Sequence, residues 1–215
     1  SLRAMMDALT EGVVSDPVTQ QRYFRTAQDQ VETLSLLIDD LFDMAQLDAG
    51  GMSLDRHTAD LSDLISDTIE SFSALAKDAD IGLSGYIAPD TDPVDIDGQK
   101  VSRVLSNLVS NALRYTPGGG EITILARPRD HDWVEVCVED TGEGIHEENL
   151  PHVFDQFYRG EKSRSRSTGG SGLGLAIARG VVEAHGGAIH AQSTPGEGPS
   201  IQLTLPRDGL VGLRR

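Results

Sequence analysis

One cysteine, one tryptophan, four tyrosines and five phenylalanines are all that this 215-residue chain offers in thiol and aromatic side chains. The lone Cys137 excludes an internal disulfide and fits a reducing compartment. Basic residues are scarce as well: 18 Lys and Arg stand against 34 Asp and Glu, a formal net charge of −16. Such a surface repels nucleic-acid phosphates and anionic lipid heads, which argues against nucleic acid and direct membrane contact. No apolar run approaches the roughly 18 residues needed to cross a bilayer, and no basic-then-apolar leader opens the chain, so it reads as soluble. An anchor elsewhere in a longer parent protein is compatible with that reading. The phosphate loop Gly-x4-Gly-Lys-Ser/Thr is missing, as is Gly-x-Gly-x-x-Gly behind a strand. His57, His131, His146, His152, His185 and His190 lie at no zinc-like spacing with Cys or carboxylates and read as surface or packing residues. No Ser-His-Asp arrangement is suggested either.

Two regions emerge from the periodicity. Residues 1 to about 49 read as a helical hairpin. Leu2, Met5, Met6 and Leu9 have helical spacing, and Asp16-Pro17 is a helix start. Val31, Leu34, Leu37, Ile38, Leu41, Met44, Ala45 and Leu47 then form a coiled-coil-like stripe that Gly50-Gly51 ends. The remainder reads as α and β mixed. Helices are expected over 60–78, 98–115 and 173–185, and strands over 81–88, 94–96, 121–127, 133–139, 188–193 and 200–205. In the first of these helices Leu61, Leu64, Ile65, Ile69, Phe72 and Leu75 point inward. Val134, Val136 and Val138 alternate with Glu135, Cys137 and Glu139, as in a half-buried strand.

Several segments could carry chemistry. On the helix over 98–115, Val101, Val104, Leu105, Leu108 and Ala112 form a core face. Arg103, Asn107, Asn111 and Tyr115, spaced by four, form a second stripe beside Arg114. Mid-helix asparagines are poor on propensity; they make either a solvated face or a site, and an amide oxygen suits Mg²⁺. Glu139-Asp140-Thr141-Gly142-Glu143-Gly144-Ile145 follows a strand. It reads as a turn, or it places Asp140 to accept from an exocyclic amine such as adenine's, with Gly142 and Gly144 allowing close approach. Gly169-Gly170-Ser171-Gly172-Leu173-Gly174-Leu175 opens a helix and reads as a linker or as an anion site at a helix N-terminus. Phe154 and Phe157 are expected to anchor a loop to the core. Arg159 lies just beyond and heads a basic cluster with Lys162, Arg164 and Arg166.

In this order the segments resemble the ATP-binding domain of sensor histidine kinases. Arg103 to Thr116 is similar to that family's N box, Asp140 to Gly144 to its first glycine box, Phe154 to Arg159 to its F box, and Gly170 to Leu175 to its second glycine box. Gly196-Glu-Gly198 before a strand ending in Leu205-Pro206 resembles its last glycine turn. The resemblance spans about residues 53 to 206. It implies an α+β fold, a two-layer sandwich of a mixed sheet against three helices, with ATP under a lid over about 145–172. It also implies roles: Asn111, helped by Asn107, for Mg²⁺; Asp140 for the adenine amine; Arg159 for the terminal phosphates. Tyr115, Gly142, Gly144, Gly170, Gly172, Leu173 and Gly174 would line the nucleotide site. Arg114 stands where the family often has Lys, and a guanidinium contacts phosphate differently from an ammonium. Residues 1–52 resemble the family's dimerisation and phosphoacceptor hairpin and 53–215 its catalytic domain. The family's His-Glu-x-x-Thr/Asn-Pro motif does not occur, and the acceptor histidine is expected upstream of Ser1.

The resemblance further implies ATP and Mg²⁺ as ligands, a response-regulator receiver domain and a second copy of the parent as partners, and a place on the cytoplasmic side of a membrane-anchored parent. The competing readings are a non-catalytic nucleotide-binding regulatory module and another ATPase of the same superfamily. Intact Asn111 and Arg159 argue against the first, and the F box and hairpin against the second.

Overall fold

The computed structural model of the chain describes residues 2–158, 171–194 and 198–207. It falls into two compact units, residues 1–46 and 47–215.

The first unit is helical. α1 (Leu2–Thr10) ends where Gly12 takes a left-handed φ of 68°, and α2 (Pro17–Asp48) runs on for 32 residues into the second unit. Asp16 starts α2 as expected: its Oδ2 accepts from Thr19 N–H at 2.9 Å and from the Thr19 hydroxyl at 2.7 Å, with Pro17 in the position that lacks an N–H to lose. Val31, Leu34, Leu37, Ile38 and Leu41 of the apolar stripe stay exposed, while Met44 is buried.

The second unit is a five-stranded mixed sheet with three helices. Its strands are β2 (Gly82–Ile87), β4 (Glu121–Pro128), β5 (Trp133–Asp140), β6 (Ile189–Thr194) and β7 (Gly198–Pro206), in the order β2-β4-β5-β7-β6. β2 and β4 are parallel, and the other pairs are antiparallel. The helices are α3 (Leu61–Asp78), α4 (Gly98–Tyr115) and α5 (Gly174–Ala184). One sheet face is apolar: Ile122, Ile124, Val134, Val136, Val138, Ile201, Leu203 and Leu205 are buried, along with Val101, Leu105, Leu108 and Val109 of α4 and Ile177 and Val181 of α5. Each such side chain withdrawn from water contributes about 1.5–3 kcal/mol before entropy is counted. α3 lies close on β2, since a Cβ at Gly85 would come within 2.6 Å of Ile69 Cδ1.

A two-stranded sheet, β1 (His57–Ala59) antiparallel to β3 (Val94–Ile96), pins the segment that follows α2. The three-residue β1 is too short to carry a period and was not expected. Asp92 caps α3 from a distance, accepting from Leu61 N–H at 2.6 Å and Ser62 N–H at 3.3 Å. Asp97 joins further parts. One carboxyl oxygen caps α4 through Lys100 N–H at 3.1 Å, and the other accepts from Asp55 N–H at 3.0 Å. Its own N–H donates to Nε2 of the buried His185 at 3.0 Å, while His185 Nδ1 lies 2.8 Å from Val181 O. That pattern requires a neutral imidazole protonated on Nδ1.

Three sequence expectations are corrected. Leu75 is exposed, although seven residues after the buried Thr68 it keeps to the side of α3 that buries Leu61, Ile65, Thr68 and Ala76. Cys137 shares the outer sheet face with Glu135 and Glu139 yet is buried; its sulfur lies 3.0 Å from Ser200 Oγ. Burial pushes its thiol up to about 11. Phe157 is no core anchor: it is 65% exposed and sits at φ 60°.

Candidate active site

The site grows from the ends of β5 and α4 and the start of α5. Asp140 ends β5 and pairs with Ile122 near the start of β4. Only 9% of it is exposed. Its Oδ1 accepts from Gly142 N–H at 2.9 Å and from the Thr116 hydroxyl at 3.3 Å. Burial raises its pKa, against those two hydrogen bonds, which lower it. An acid whose folded pKa is raised costs the fold stability wherever the carboxylate is ionised. Such a group marks a candidate functional site.

Two glycines make room around it. A Cβ at Gly142 would lie 2.6 Å from Asp140 Oδ1 and 2.7 Å from Tyr115 O, so no side chain fits there. A Cβ at Gly198, which sits at φ 84°, would overlap Asp140 O. Gly144 is left-handed at φ 78°, and Ile145 after it donates its N–H to Ser193 Oγ at 2.8 Å.

At the other end of the site, the asparagine stripe of α4 meets the glycine-rich entry to α5. Asn107 Nδ2 donates to Gly174 O at 3.1 Å, and a Cβ at Gly174 would come within 3.4 Å of the Asn107 amide. Asn111 is half-buried one turn on, and its amide bonds to no other described residue. Tyr115 ends the stripe, with the Arg114 guanidinium 5.6 Å from its ring centroid. Leu173 is buried and its N–H donates to Ser171 Oγ at 3.2 Å. The first amides of α5 lack intrahelical acceptors and carry the positive end of the helix dipole. Gly172 (φ 73°) accepts from Phe157 N–H at 3.0 Å, and a Cβ there would come within 3.0 Å of the Phe157 backbone. Tyr158 donates its hydroxyl to Asn149 Oδ1 at 2.6 Å. Arg159, Lys162, Arg164, Arg166 and Gly170 lie outside the described residues, as do Gly196 and much of the expected lid.

A family model described as "Histidine kinase-, DNA gyrase B-, and HSP90-like ATPase" matches residues 96–209, which takes in Asn107, Asn111, Asp140 and the glycine turns. The chain belongs to this ATPase family. Its ATP-binding domain resembles those of sensor histidine kinases in particular. Sensor histidine kinase WalK of Bacillus subtilis (strain 168) is 35% identical over 208 residues, 96% of this chain and 34% of WalK. The chain thus spans about a third of that relative. Full-length ShkA in complex with AMPPNP superposes with a TM-score of 0.74 at 25% identity, over 87% of this chain and 39% of that one. The fold recurs in the Acinetobacter baumannii histidine kinase AdeS, with a TM-score of 0.74 at 23% identity over 96% of this chain and 93% of that one.

Asp140, Gly142, Asn107 and Gly174, marked out in the sequence by type and spacing, come together in the fold as two contacting groups. The hydroxyls of Thr116 and Ser193, which bond Asp140 and Ile145, were not expected in the site. A threonine after a helix and a serine in a strand carry no local signal of what they bond.

Proposed function

We propose that this ATPase domain is the catalytic region of a sensor histidine kinase. It moves the γ-phosphoryl group of ATP to a histidine nitrogen for relay to a response-regulator aspartate. The observation that carries this reading is Asp140: a buried carboxylate with Oδ1 engaged twice and Oδ2 bonded to no described residue. An acceptor at a strand end, walled by Gly142, suits the exocyclic amine of adenine. The α4 stripe then runs from that pocket toward the start of α5, which suits a triphosphate. ShkA, of similar fold, is a complex with an ATP analogue.

Asn111 fits Mg²⁺, since its amide oxygen is a hard donor with no described partner. Asn107 keeps its oxygen while its amide N–H holds Gly174, so it serves as a second ligand or positions the α5 entry. When bound, the ion neutralises charge on the phosphates. Asn107 aligns the helix whose first amides face the phosphates, while Arg159 and Arg114 supply cationic donors. Catalysis by these residues is positioning and charge stabilisation.

The hairpin supports a second copy of the parent as partner. An exposed stripe of Val31, Leu34, Ile38 and Leu41 is what a helix presents to another helix. ATP as substrate supports a position on the cytoplasmic side of the parent.

Calorimetric titration with a non-hydrolysable ATP analogue tests the reading. Saturable binding that weakens when Mg²⁺ is chelated, and that Asn111→Ala makes insensitive to Mg²⁺, is expected. No binding at millimolar nucleotide contradicts it.

A further inference from the structure

Thr116 is the capping residue of α4, extended at φ −84° and ψ 126°, with its N–H still donating to Ala112 O at 2.9 Å. Pro117 follows and cannot continue the helix. Thr116 is only 6% exposed, yet it is polar. A buried hydroxyl requires a partner, and this one's partner is Asp140 Oδ1 at 3.3 Å.

Its two γ substituents have separate tasks. The methyl packs on Gly120, where an added Cβ would collide with Thr116 Cγ2 and lie 2.9 Å from Thr141 Oγ1. The hydroxyl reaches Asp140. Branching at Cβ restricts χ1, so seating the methyl also aims the hydroxyl. Gly142 N–H meets the same carboxylate oxygen at 2.9 Å. Two donors on Oδ1 fix the rotation of the carboxylate and leave Oδ2 as the oxygen offered to a ligand.

We infer that Thr116 is a positioning residue for nucleotide recognition, orienting the Asp140 carboxylate so that Oδ2 accepts the adenine amine and tying that recognition to the end of the helix that carries Asn107 and Asn111. This inference rests on the assignment of Asp140 to adenine under the proposed function. Thr116 does not touch the nucleotide. It sets which oxygen is presented and registers the base pocket against α4. The hydroxyl also opposes the effect of burial, which raises the Asp140 pKa.

The test separates the hydroxyl from the methyl. Thr116→Val keeps the branching and the packing on Gly120 and removes the donor; Thr116→Ser keeps the donor and removes the methyl. Affinity for a non-hydrolysable ATP analogue is measured on the whole chain across pH, with thermal unfolding of each variant alongside. The unmodified chain should bind, and lose affinity as acid protonates Asp140. In Thr116→Val the affinity at neutral pH should fall about three- to tenfold, the scale of one ordinary intramolecular hydrogen bond. The acid limb of its profile should move to higher pH. Thr116→Ser should restore the position of that limb. A Thr116→Val that unfolds at lower temperature but keeps the unmodified pH profile would show a packing role only and overturn the inference. Thr116→Ser shifting the limb as far as Thr116→Val would overturn it too, and this comparison stands even if Thr116→Val fails to fold, with Thr116→Ala as the variant lacking a hydroxyl. Failure of the unmodified chain to bind would instead remove the adenine assignment itself, and the inference with it.

Discussion

Helices α2 and α4 carry the same kind of apolar periodicity and meet opposite fates. α4 buries Val101, Val104, Leu105, Leu108 and Val109 against the sheet and its neighbouring helices, each at 2% exposure or less. α2 leaves Val31, Leu34, Ile38 and Leu41 more than half exposed. A repeat of three and four establishes that a helix is amphipathic. It does not say whether the surface that covers the stripe belongs to the same chain. The ATPase domain completes its own core, whereas α2 leaves its stripe in solvent.

The largest expected effect probes that contrast directly. Leu105→Ala should cost the ATPase domain about 2–5 kcal/mol, because a buried leucine leaves a cavity. Leu41→Ala should leave the urea unfolding of that domain within about 0.5 kcal/mol of the unmodified chain. Its effect belongs in self-association, read by sedimentation equilibrium as a weaker dimer. Equal destabilisation by the two substitutions, with no change in association, would break the comparison.

A middle-sized effect concerns pH, and it applies to the ATPase domain alone. His185 is buried between α5 and the start of α4, and its pKa is lowered first by that burial, with the Val181 carbonyl opposing. The folded chain therefore disfavours the imidazolium relative to the unfolded chain. The stability from the neutral ring is present above the unfolded pKa of about 6.5 and is lost as pH falls below it. Protonation also places an N–H against Asp97 N–H, which now donates to Nε2. Urea midpoints measured from about pH 7.5 down to about pH 5 should fall more steeply in the unmodified chain than in His185→Gln. Parallel curves would deny His185 this part.

How far the sequence showed all this varies with the kind of feature. α4, β5 and the Asp140-to-Gly144 turn were legible, because their periods and turn residues are local. β1 was not, since three residues make no pattern and the strand exists only by pairing with Val94–Ile96. Leu75 was placed inside on helical spacing and Phe157 on hydrophobicity. Leu75 keeps the phase of the buried face yet stands exposed in the last turn of α3, and the left-handed backbone of Phe157 joined to Gly172 holds that ring in solvent. Within the site, Asp140 and Asn107 could be singled out by type and spacing. Their partners Thr116 and Gly174 O are set by tertiary contact across 24 and 67 residues.

The smallest expected effect lies on the solvent face of α5. Arg179 Nε bonds Glu183 Oε1 at 2.7 Å as an exposed i,i+4 pair. Removing it by Glu183→Gln should change stability by no more than about 0.5 kcal/mol and leave nucleotide affinity unaltered.

Nucleotide choice in this site falls to Asp140, if its carboxylate reads the base. Competition of ATP and GTP for the unmodified chain, by calorimetric displacement with Mg²⁺ present, measures this with no change to the protein. Guanine places a carbonyl oxygen where adenine has its amine, and two facing acceptors cost about 1–3 kcal/mol. ATP should win by a factor of about 5 to 150, and Asp140→Asn should weaken ATP and shrink the ratio. Equal affinity for the two nucleotides in the unmodified chain would contradict the assignment of Asp140 to adenine.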